Sequence, residues 1–374
     1  MAAQEEDSPL GTLGDVLSNH DLPYPIAIGY DVRDAIAEFV RISGRQVVML
    51  YDSEPAVARI ARRMAAAVGK HAMLASLGFA LGERRKRLAT VERVLDALVA
   101  AGADRSTLLL GVGGGVASDL FGFAAATFMR GVPYAHIATS LVAMVDAAIG
   151  GKTGVDLNSG KNLAGAFRDP EAVFCDISAL YTLPMRSLRE GLAEIVKAGI
   201  IEGDDLFDSL ETLSGHDFIK WPWADLVSAA VKVKTAIVAD DRMEAGIREL
   251  LNLGHTFAHG LEGASEYRIT HGAAVALGLR AAGLLALRTG RFSEREHLRV
   301  LTLLTLFGMP LRTSMDPDTV FEAMRNDKKR RNGRLRFVLP RSIGDVEYGV
   351  ECSDRTVRGV LSRLRQMPSV TRGR

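Results

Sequence analysis

The sequence predicts an α/β domain with a mainly parallel sheet, followed by an all-helical domain. Short apolar runs alternate with helical patterns up to about residue 180, which is typical of parallel strands covered by helices. Beyond that point helical spacing dominates, and the 374 residues exceed what one hydrophobic core usually supports. We therefore expect a flexible arm over residues 1–20, a first domain over residues 21–180 and a second over residues 181–374.

The predicted strands of the first domain are buried apolar runs that end near Gly, Asp or Ser. They cover residues 24–29, 46–52, 107–111, 134–139 and 172–176. Helical patterns lie between them, over residues 32–43, 56–68, 88–101 and 118–128. Strands that alternate with helices in this way predict βαβ units.

The second domain begins after the turn Thr182-Leu183-Pro184, where helical spacing takes over. Its predicted helices cover residues 186–201, 223–239, 249–263, 271–289 and 293–307. A short apolar run over residues 335–339 predicts a strand or a hairpin.

Composition and charge restrict the class of protein. The net charge is +1, with 46 basic and 45 acidic residues, so no global field attracts nucleic acid. The 2 cysteines cannot form a disulfide framework, and the acidic first residues lack the pattern of a secretory signal. No apolar run is long enough to predict a membrane span. We therefore expect a cytoplasmic protein that binds neither nucleic acid nor membrane.

A Gly-rich turn, Gly111-Val112-Gly113-Gly114-Gly115, follows a predicted strand and precedes a predicted helix. Glycines let backbone N–H groups approach a pyrophosphate, and the helix N-terminus adds positive potential. The turn lacks the G-x-G-x-x-G pattern because position 116 is Val, and a strand–helix turn without a ligand explains it equally well. Asp52, after an earlier strand, is either a ribose ligand or a turn residue.

A second glycine-rich segment carries lysines. Gly150-Gly151-Lys152-Thr153 lacks the first glycine of a P-loop, because position 146 is Asp, and a nucleoside triphosphatase is disfavoured. Lys152, Lys161 and Asn162 on this backbone favour a phosphate or carboxylate cradle, and the alternative is a solvated basic loop.

One carboxylate and several imidazoles occur on predicted helices of the second domain. Glu194 and Lys197 are three residues apart and share a face, as an ordinary surface ion pair also would. His255 and His259 are four residues apart, and His271 starts a helix. A carboxylate with two or three neutral imidazoles is a ligand set for a Zn²⁺-like ion with an open position. His259 is either a further ligand or a substrate-binding group.

Cationic and amide side chains precede this set. Asn252 and Arg248 lie about one and two predicted turns before His255, where they could present an amide and a guanidinium to a carboxylate. Lys234 lies on the preceding helix. Residues 327–331 form a charge run that is mostly surface, from which one lysine could fold back to the site.

Several of these segments resemble 3-dehydroquinate synthase, a family of the sugar-phosphate cyclase superfamily. The resemblance extends from about Tyr24 to Asp345. Its motifs are Gly113-Gly114-Gly115, Asp146 with Gly150-Gly151-Lys152-Thr153, Lys161-Asn162, Gly191-Leu192-Ala193-Glu194, the run from Leu251 to His259, and His271-Gly272. The family implies a dinucleotide-binding α/β domain, a helical domain, NAD, a divalent metal (Zn or Co) and a homodimer.

The resemblance also implies roles for individual residues. Glu194, His255 and His271 resemble the metal ligands. Phosphate contacts are implied for Arg130, Lys152, Asn162, His259 and one of Lys328 or Lys329, and carboxylate contacts for Lys234, Arg248 and Asn252. Asp146 and Lys197 resemble polar groups near the reacting carbons. The implied catalytic set consists of these two residues and Lys152, Lys234, Arg248, Asn252 and His259. NAD contacts are implied for Asp52, Glu83, Lys86, Gly113, Gly114, Gly115, Asp119, Thr139, Ser140, Lys161 and Thr182.

The implied activity is that of a phosphate-eliminating lyase. The family converts 3-deoxy-D-arabino-heptulosonate 7-phosphate to 3-dehydroquinate and phosphate, in the shikimate pathway of aromatic amino acid biosynthesis. NAD oxidises the substrate transiently, phosphate leaves, the hydride returns, and an intramolecular aldol closes the carbocycle. NAD therefore acts as a catalyst, and most of the protein's task is orientation and anion binding.

Departures from the family pattern leave alternatives open. The chain has Ala138-Thr139-Ser140 for Pro-Thr-Thr, Asp146-Ala147-Ala148 for Asp-Ser-Ser, Ala273 for the Glu after His-Gly, and Arg242 for an acidic residue. Ala273 puts the hydrogen-bond support of His271 in question. Aminodehydroquinate synthase or another cyclase of secondary metabolism is the first alternative, a metal-dependent NAD polyol dehydrogenase the next, and a non-catalytic binding module the last.

Overall fold

The computed structural model describes residues 22–213, 217–328 and 335–368. The arm expected over residues 1–20 and Lys329 lie outside these ranges. The chain divides into two units. The first ends at Pro184 and also contains Trp223–Val231, and the second contains Met185–Pro222 and the chain from Lys232 onward.

The first unit is built on a six-stranded parallel sheet. Its strands are β1 (Ile26–Gly29), β2 (Val47–Asp52), β3 (Met73–Phe79), β4 (Leu108–Gly113), β5 (Tyr134–Ala138) and β8 (Ala172–Asp176). Their order across the sheet is β1-β8-β5-β4-β2-β3. Two further strands, β6 (Lys152–Leu157) and β7 (Gly160–Phe167), form a separate antiparallel hairpin. β4, β5 and β8 are buried along their whole length, as expected for parallel strands covered on both faces.

Helices connect the parallel strands of this unit. They are α1 (Arg33–Ser43), α2 (Pro55–Val68), α3 (Leu88–Ala100) and α4 (Gly115–Thr127). The carboxylate of Glu54 accepts hydrogen bonds from the N–H groups of Ala56 and Val57, and Pro55 occupies the first turn, so α2 has a strong start signal. Gly44 ends α1 in the left-handed conformation, with φ +62°.

The strand order of the first unit predicts where a ligand-binding crevice lies. The chain moves outward from β2 to β3, returns to β4 on the other side of β2, and continues to β5. The direction of winding therefore reverses between β2 and β4. In open α/β sheets, ligands bind at the carboxyl ends of the strands beside such a reversal. Asp52 ends β2 and the glycines end β4, so both lie at this edge.

The second unit is mainly helical. Its helices are α5 (Met185–Glu202), α6 (Asp204–Leu213), the later part of α7 (Trp223–Asp240), α8 (His255–Ala264), α9 (His271–Arg288), α10 (Glu294–Leu306), α11 (Pro317–Lys328) and α12 (Asp354–Leu364). A hairpin of β9 (Arg336–Ser342) and β10 (Asp345–Glu351) completes it. α8 and α5 both pack against α9. A Cβ on Gly278 of α9 would lie 2.2 Å from the carbonyl oxygen of Gly254, so the helices meet where no side chain fits.

The fold class predicted from the sequence is confirmed, and the differences are local. The hairpin β9–β10 lies where residues 335–339 predicted a strand or hairpin. The single helix predicted over residues 249–263 is wrong: a 3₁₀ turn, Ile247–Asn252, is followed by Gly254 at φ +79° before α8 begins. β3 and the hairpin β6–β7 were missed, because glycines and polar residues interrupt their apolar pattern.

Within the described ranges, no helix combines the length and the apolar character that crossing a membrane requires.

Candidate functional site

Three side chains converge in the second unit. Glu194 Oε1 lies 3.1 Å from His271 Nε2 and 3.6 Å from His255 Nε2. Among the described residues, these three form the one group whose ligand atoms all lie within 4.8 Å of one another as a metal site requires. α5, α8 and α9 each supply one member, so helix packing creates the cluster. The structure thus brings together the three residues for which the sequence implied metal ligation.

The other ring nitrogens of the two histidines also have acceptors. His255 Nδ1 lies 3.2 Å from the carbonyl oxygen of Leu253, and His271 Nδ1 lies 3.3 Å from Glu262 Oε1. An Nδ1–H that donates to such an acceptor leaves Nε2 as the ligand nitrogen. Both Nε2 atoms therefore face Glu194.

The charges around Glu194 keep it ionised. Burial alone would raise the pKa of Glu194, but the ammonium of Lys197 and the hydrogen bond with His271 hold the pKa well below its usual value. Lys197 Nζ lies 2.5 Å from Glu194 Oε2, and both side chains are almost fully buried. Burial and the nearby Lys197 lower the pKa of His255 to about 3, so this imidazole is neutral.

His271 differs from His255 in its charge state. Although burial favours the neutral ring, hydrogen bonds with Glu194 and Glu262 raise the pKa of His271 to about 10. A divalent ion that binds Nε2 takes the place of a proton there, which couples metal binding to proton release.

The donor set fits a divalent metal. Around a tetrahedral ion with bonds of about 2.1 Å, ligand atoms lie about 3.4 Å apart, close to the separations measured from Glu194 Oε1. Two imidazoles and one carboxylate leave a coordination position open, as in catalytic zinc sites. The same set accepts cobalt.

Three cationic side chains of the second unit are buried, and one of them, Lys197, contacts the cluster. Lys197, Lys234 and Arg248 are buried, although lysine and arginine are rarely so. Arg248 is held by its main chain and its side chain: Nη1 donates to the carbonyl of Arg242 at 2.5 Å, and the backbone N–H donates to Asp241. The contact uses the main chain of Arg242, so the departure at that position leaves it intact.

Asn252 is placed differently from the sequence prediction, whereas His259 fits one of the two alternatives left open for it. Asn252 and Arg248 do not lie on the helix of His255, because the 3₁₀ turn carries them; Asn252 Nδ2 donates to Glu244 at 2.9 Å. His259 is exposed, with its ring centroid 5.6 Å from that of His255. It is outside the cluster of three ligand atoms, which favours the substrate-binding alternative over ligation.

The Gly-rich turn of the first unit lies at the carboxyl edge of the sheet. β4 ends at Gly113 and α4 begins at Gly115, so the strand extends further than predicted. A Cβ on Gly113 would lie 2.4 Å from the Cβ of Ala117, and one on Gly114 would lie 3.0 Å from Ser140 Oγ. Only glycine allows the strand, the helix start and the next loop to come this close. Such a turn fits the close backbone approach that a pyrophosphate needs.

Other residues with implied NAD contacts belong to the same unit. The Asp52 carboxylate accepts hydrogen bonds from the N–H groups of Glu54 and Leu81, which supports its turn role beside any ligand role. Thr139 N–H donates to Gly113 O at 2.9 Å. Thr182 Oγ1 donates to the carbonyl of Ala179, on a 3₁₀ turn after β8.

A polar network that is buried at Lys86 and Asp156 joins Lys86 to the hairpin β6–β7. Lys86 Nζ pairs with Asp119 and donates to Asn162 Oδ1 at 2.6 Å. Burial raises the pKa of Asp119, and the ammonium of Lys86 opposes that rise. Asp156 accepts from the N–H of Asn162 at 2.8 Å and donates its own N–H to Lys86 O. Asn162 thus has its amide oxygen fixed and its N–H₂ group directed away from Lys86.

The remaining implied residues occupy exposed or partly exposed places. Arg130 and Lys152 are exposed, Lys161 pairs with Glu83 at 2.6 Å, and Asp146 lies on a π-helical turn, Ala143–Ala147. Lys152 begins β6, so it lies on a strand and not on the loop that the sequence suggested. Lys328 ends α11, and Lys329 lies outside the described residues.

Sequence reasoning missed three carboxylates. Glu262 contacts His271, Asp156 holds Asn162, and Glu190 Oε2 accepts the N–H of Gly272 at 2.6 Å. For Glu262 a signal existed, because it lies seven residues after His255 and so on the same face of a helix. Ala273 raised the question of what supports His271, and Glu262 answers it.

Comparison with known proteins places the chain in a family. It matches the description "3-dehydroquinate synthase N-terminal" over residues 76–190 and "3-dehydroquinate synthase C-terminal" over residues 191–330. The 3-dehydroquinate synthase of Gloeobacter violaceus is 40% identical over 354 residues, which are 91% of this chain and 96% of that protein.

Solved structures agree with this result. The 2-epi-5-epi-valiolone synthase of Streptomyces hygroscopicus, with NAD⁺ and Zn²⁺ bound, is 29% identical with a TM-score of 0.81, covering 92% of this chain and 97% of that one. A 2-deoxy-scyllo-inosose synthase complexed with carbaglucose-6-phosphate, NAD⁺ and Co²⁺ is 26% identical with a TM-score of 0.79, covering 90% and 96%. By both family matches and by its identity to curated relatives, this chain belongs to the 3-dehydroquinate synthase family.

Proposed function

We propose that this chain is an NAD- and metal-dependent lyase that converts 3-deoxy-D-arabino-heptulosonate 7-phosphate to 3-dehydroquinate and phosphate. The observation that carries the proposal is the buried cluster of Glu194, His255 and His271 with Lys197 against the carboxylate. A metal centre in a unit that also buries Lys234 and Arg248 suits an anionic sugar acid. A neutral polyol needs no such cations, which disfavours a polyol dehydrogenase.

Glu194, His255 and His271 would hold the divalent ion, and the glycine turn with Asp52, Lys86 and Asp119 would hold NAD. When bound, NAD supplies a hydride acceptor and donor, and the ion supplies Lewis acidity. Lys197 keeps Glu194 ionised and places an ammonium group beside the ligand cluster. The protein's own contribution is to orient the substrate and to compensate its charges.

Two groups of residues are assigned to the two anionic ends of the substrate. In the second unit, Lys234, Arg248 and Asn252 bind the carboxylate of the substrate. Arg248 suits this role because its loop is fixed by Asp241, whose carboxylate accepts the N–H groups of Ala245, Gly246 and Arg248. A fixed guanidinium loses little entropy when it forms a charge-assisted pair.

The phosphate is bound by Arg130, Lys152, Asn162, His259 and one of Lys328 or Lys329. Asn162 offers its N–H₂ donors because Lys86 occupies its amide oxygen. These positively charged and hydrogen-bond-donating side chains stabilise the charge of the phosphate dianion as the C–O bond breaks.

An assay with purified protein, NAD⁺, Zn²⁺ or Co²⁺ and the heptulosonate phosphate tests the proposal. We expect one phosphate released for each 3-dehydroquinate formed, with no net change in nicotinamide absorbance because the hydride returns. The matched variant Glu194→Gln keeps the side-chain size and is expected to lose activity and metal together.

Three other results would contradict the proposal. Net NADH on a simple polyol would indicate a dehydrogenase. Faster turnover of the amino-substituted sugar acid would indicate aminodehydroquinate synthase. No turnover on either, by protein that binds NAD and metal, would indicate a binding module.

We also propose a homodimer in the cytoplasm, supported by the family resemblance. The net charge of +1 supports a small-molecule partner over nucleic acid.

A further inference from the structure

We propose that Glu262 is a positioning residue of the metal centre: its carboxylate orients His271 so that Nε2, and not Nδ1, faces the metal. The inference rests on the metal-dependent function proposed above. It assigns a task to a buried carboxylate that the reaction itself does not use.

The imidazole of His271 lies between two carboxylates. Glu262 Oε1 is 3.3 Å from Nδ1, and Glu194 Oε1 is 3.1 Å from Nε2. A ring held at both nitrogens has one orientation. Since Glu194 is the carboxylate shared with His255, the Nε2 side is the metal side and Glu262 contacts the opposite side.

The orientation of His271 depends more on its contact with Glu262 than the orientation of His255 depends on its contact with Leu253. The side chain of His271 is 33% exposed, whereas that of His255 is 11% exposed, so packing restrains His271 less. His255 Nδ1 is held by the main-chain carbonyl of Leu253, which no substitution removes. The orientation of His271 rests on a side chain, and it can therefore be tested by mutation.

The backbone around Glu262 is fixed where the chain turns back toward His271. The carbonyl of Glu262 accepts the N–H of Tyr267 at 2.8 Å and the hydroxyl of Ser265 at 2.9 Å. Glu266 and Tyr267 are both in the left-handed region, with φ +53° and +59°. Non-glycine residues adopt this conformation only where the surroundings enforce it. This tight turn returns the chain to the start of α9 at His271, beside Glu262.

No residue next to His271 on α9 provides the same support. Ala273 follows Gly272 and has no acceptor in its side chain. The nearest other carboxylate on α5, Glu190, is occupied by the N–H of Gly272. Glu262 is buried, and its carboxylate reaches His271 from α8.

Charge gives Glu262 a second effect on the metal. Glu194 and Lys197 neutralise each other in the buried cluster, so a dication that has displaced the proton of His271 leaves two positive charges there. The carboxylate of Glu262 offsets one of them. In a medium of low dielectric this compensation favours metal retention, and a carboxylate acceptor also makes the imidazole a stronger ligand.

Metal affinity of the full chain tests the proposal directly. Zn²⁺ dissociation constants are measured by competition with a chromophoric chelator for wild type, Glu262→Gln and Glu262→Ala. We expect Glu262→Ala to weaken binding by roughly 10- to 100-fold. Glu262→Gln keeps an acceptor but not the charge, and we expect a smaller loss. Glu266→Gln, an exposed carboxylate four residues away, is the matched control and should bind as wild type does.

Two further measurements separate positioning from a general structural effect. The visible absorption of bound Co²⁺ should change in Glu262→Ala, because the ligand ring is no longer fixed. A His271→Ala background should bind the ion only weakly, and removal of Glu262 from it should cost clearly less affinity than in wild type, since the positioning effect is lost and only charge compensation remains. Thermal unfolding of the metal-free variants shows whether each is folded.

Wild-type affinity and an unaltered Co²⁺ spectrum in both Glu262 variants would overturn the inference. If Glu262→Ala does not fold, wild-type affinity and an unaltered Co²⁺ spectrum in Glu262→Gln alone would overturn the inference. An equal loss of affinity with and without His271 would also overturn it. A wild-type protein that binds Zn²⁺ but makes no 3-dehydroquinate would instead refute the proposed function, and the effect of Glu262 on affinity would still be measurable.

Discussion

Glu194 is the residue on which the electrostatics of the site depend. It contacts Lys197 through one oxygen and both histidines through the other. An isolated buried carboxylate would be protonated, so these partners are what keep it able to bind a cation. Residue spacing alone could suggest this set, because a carboxylate and imidazoles in apolar helices are unusual. Spacing could not show which of the three histidines lies outside the ligand cluster. It also could not show the helix break at Gly254, which determines where Asn252 and Arg248 lie.

At this scale we expect His255→Ala to abolish stoichiometric metal binding, because only one imidazole and one carboxylate would remain. Metal content after dialysis, measured by atomic absorption, checks this. His71 is an exposed histidine of the first unit, and the control variant His71→Ala should retain one metal ion per chain. Retention of one ion per chain by His255→Ala would remove His255 from the ligand set.

Arg248 gives a second test at the residue scale. We expect Arg248→Ala to raise KM for the heptulosonate phosphate by about 30-fold, equivalent to about 2 kcal/mol for a lost charge-assisted pair. Arg248→Lys keeps the charge but not the fork, and its KM should fall between the two. Steady-state kinetics at saturating NAD measure both, and unchanged KM values would exclude Arg248 from substrate binding.

At the scale of elements, the hairpin β6–β7 is held to Lys86 by Asp156. Asp156 links the backbone N–H of Asn162, at φ +51°, to the main chain of Lys86. The sequence predicted that Lys152, Lys161 and Asn162 belong together, from their glycine-rich context. It could not predict the hairpin, because strand pairing is set by partners and not by the segment's own pattern. The helices were easier to predict, since their periodicity is local.

We expect Asp156→Ala to raise KM for the phosphate substrate several-fold, since the N–H of Asn162 loses its acceptor. We expect a smaller loss of NAD binding, because Lys86 keeps its main-chain bond to residue 156 and is affected only through its contact with Asn162. Fluorescence titration with NAD and the phosphate-release assay measure the two effects. Asp156→Asn retains an oxygen acceptor and should lie close to wild type. A change in thermal stability of Asp156→Ala without any change in KM or NAD affinity would show that the network serves folding alone.

At the scale of the whole molecule, pH acts through histidines that no reaction step uses. His297 on α10 is buried against Gly283 of α9, and among the described residues neither of its ring nitrogens has a hydrogen-bond partner. Burial, aided by the charge of Arg280, lowers the pKa of His297 to about 4. His136 on β5 is buried likewise, and burial lowers its pKa to about 4. The apolar periodicity of the sequence predicted these surroundings, but not that two imidazoles lie in them.

These shifts predict acid destabilisation with a defined sign. The folded protein keeps His297 neutral, whereas the unfolded chain takes up a proton near pH 6.5, so stability is complete above about pH 6.5 and declines toward pH 4. The loss approaches about 3 kcal/mol for this one group. We expect His297→Leu to flatten the dependence of the urea midpoint on pH in this window. His71→Gln serves as the exposed control, and parallel pH profiles for wild type and His297→Leu would contradict the prediction.

The glycine contact between α8 and α9 also restricts which sequences can keep this metal. Any side chain at position 278 would meet the carbonyl of Gly254 at 2.2 Å and would push apart the two helices that bear His255 and His271. Metal–nitrogen bonds tolerate only about 0.2 Å of misplacement. Natural variants at Gly278, a residue without a functional group, can therefore lose the ion. A search for changes in the ligand residues alone would overlook such variants.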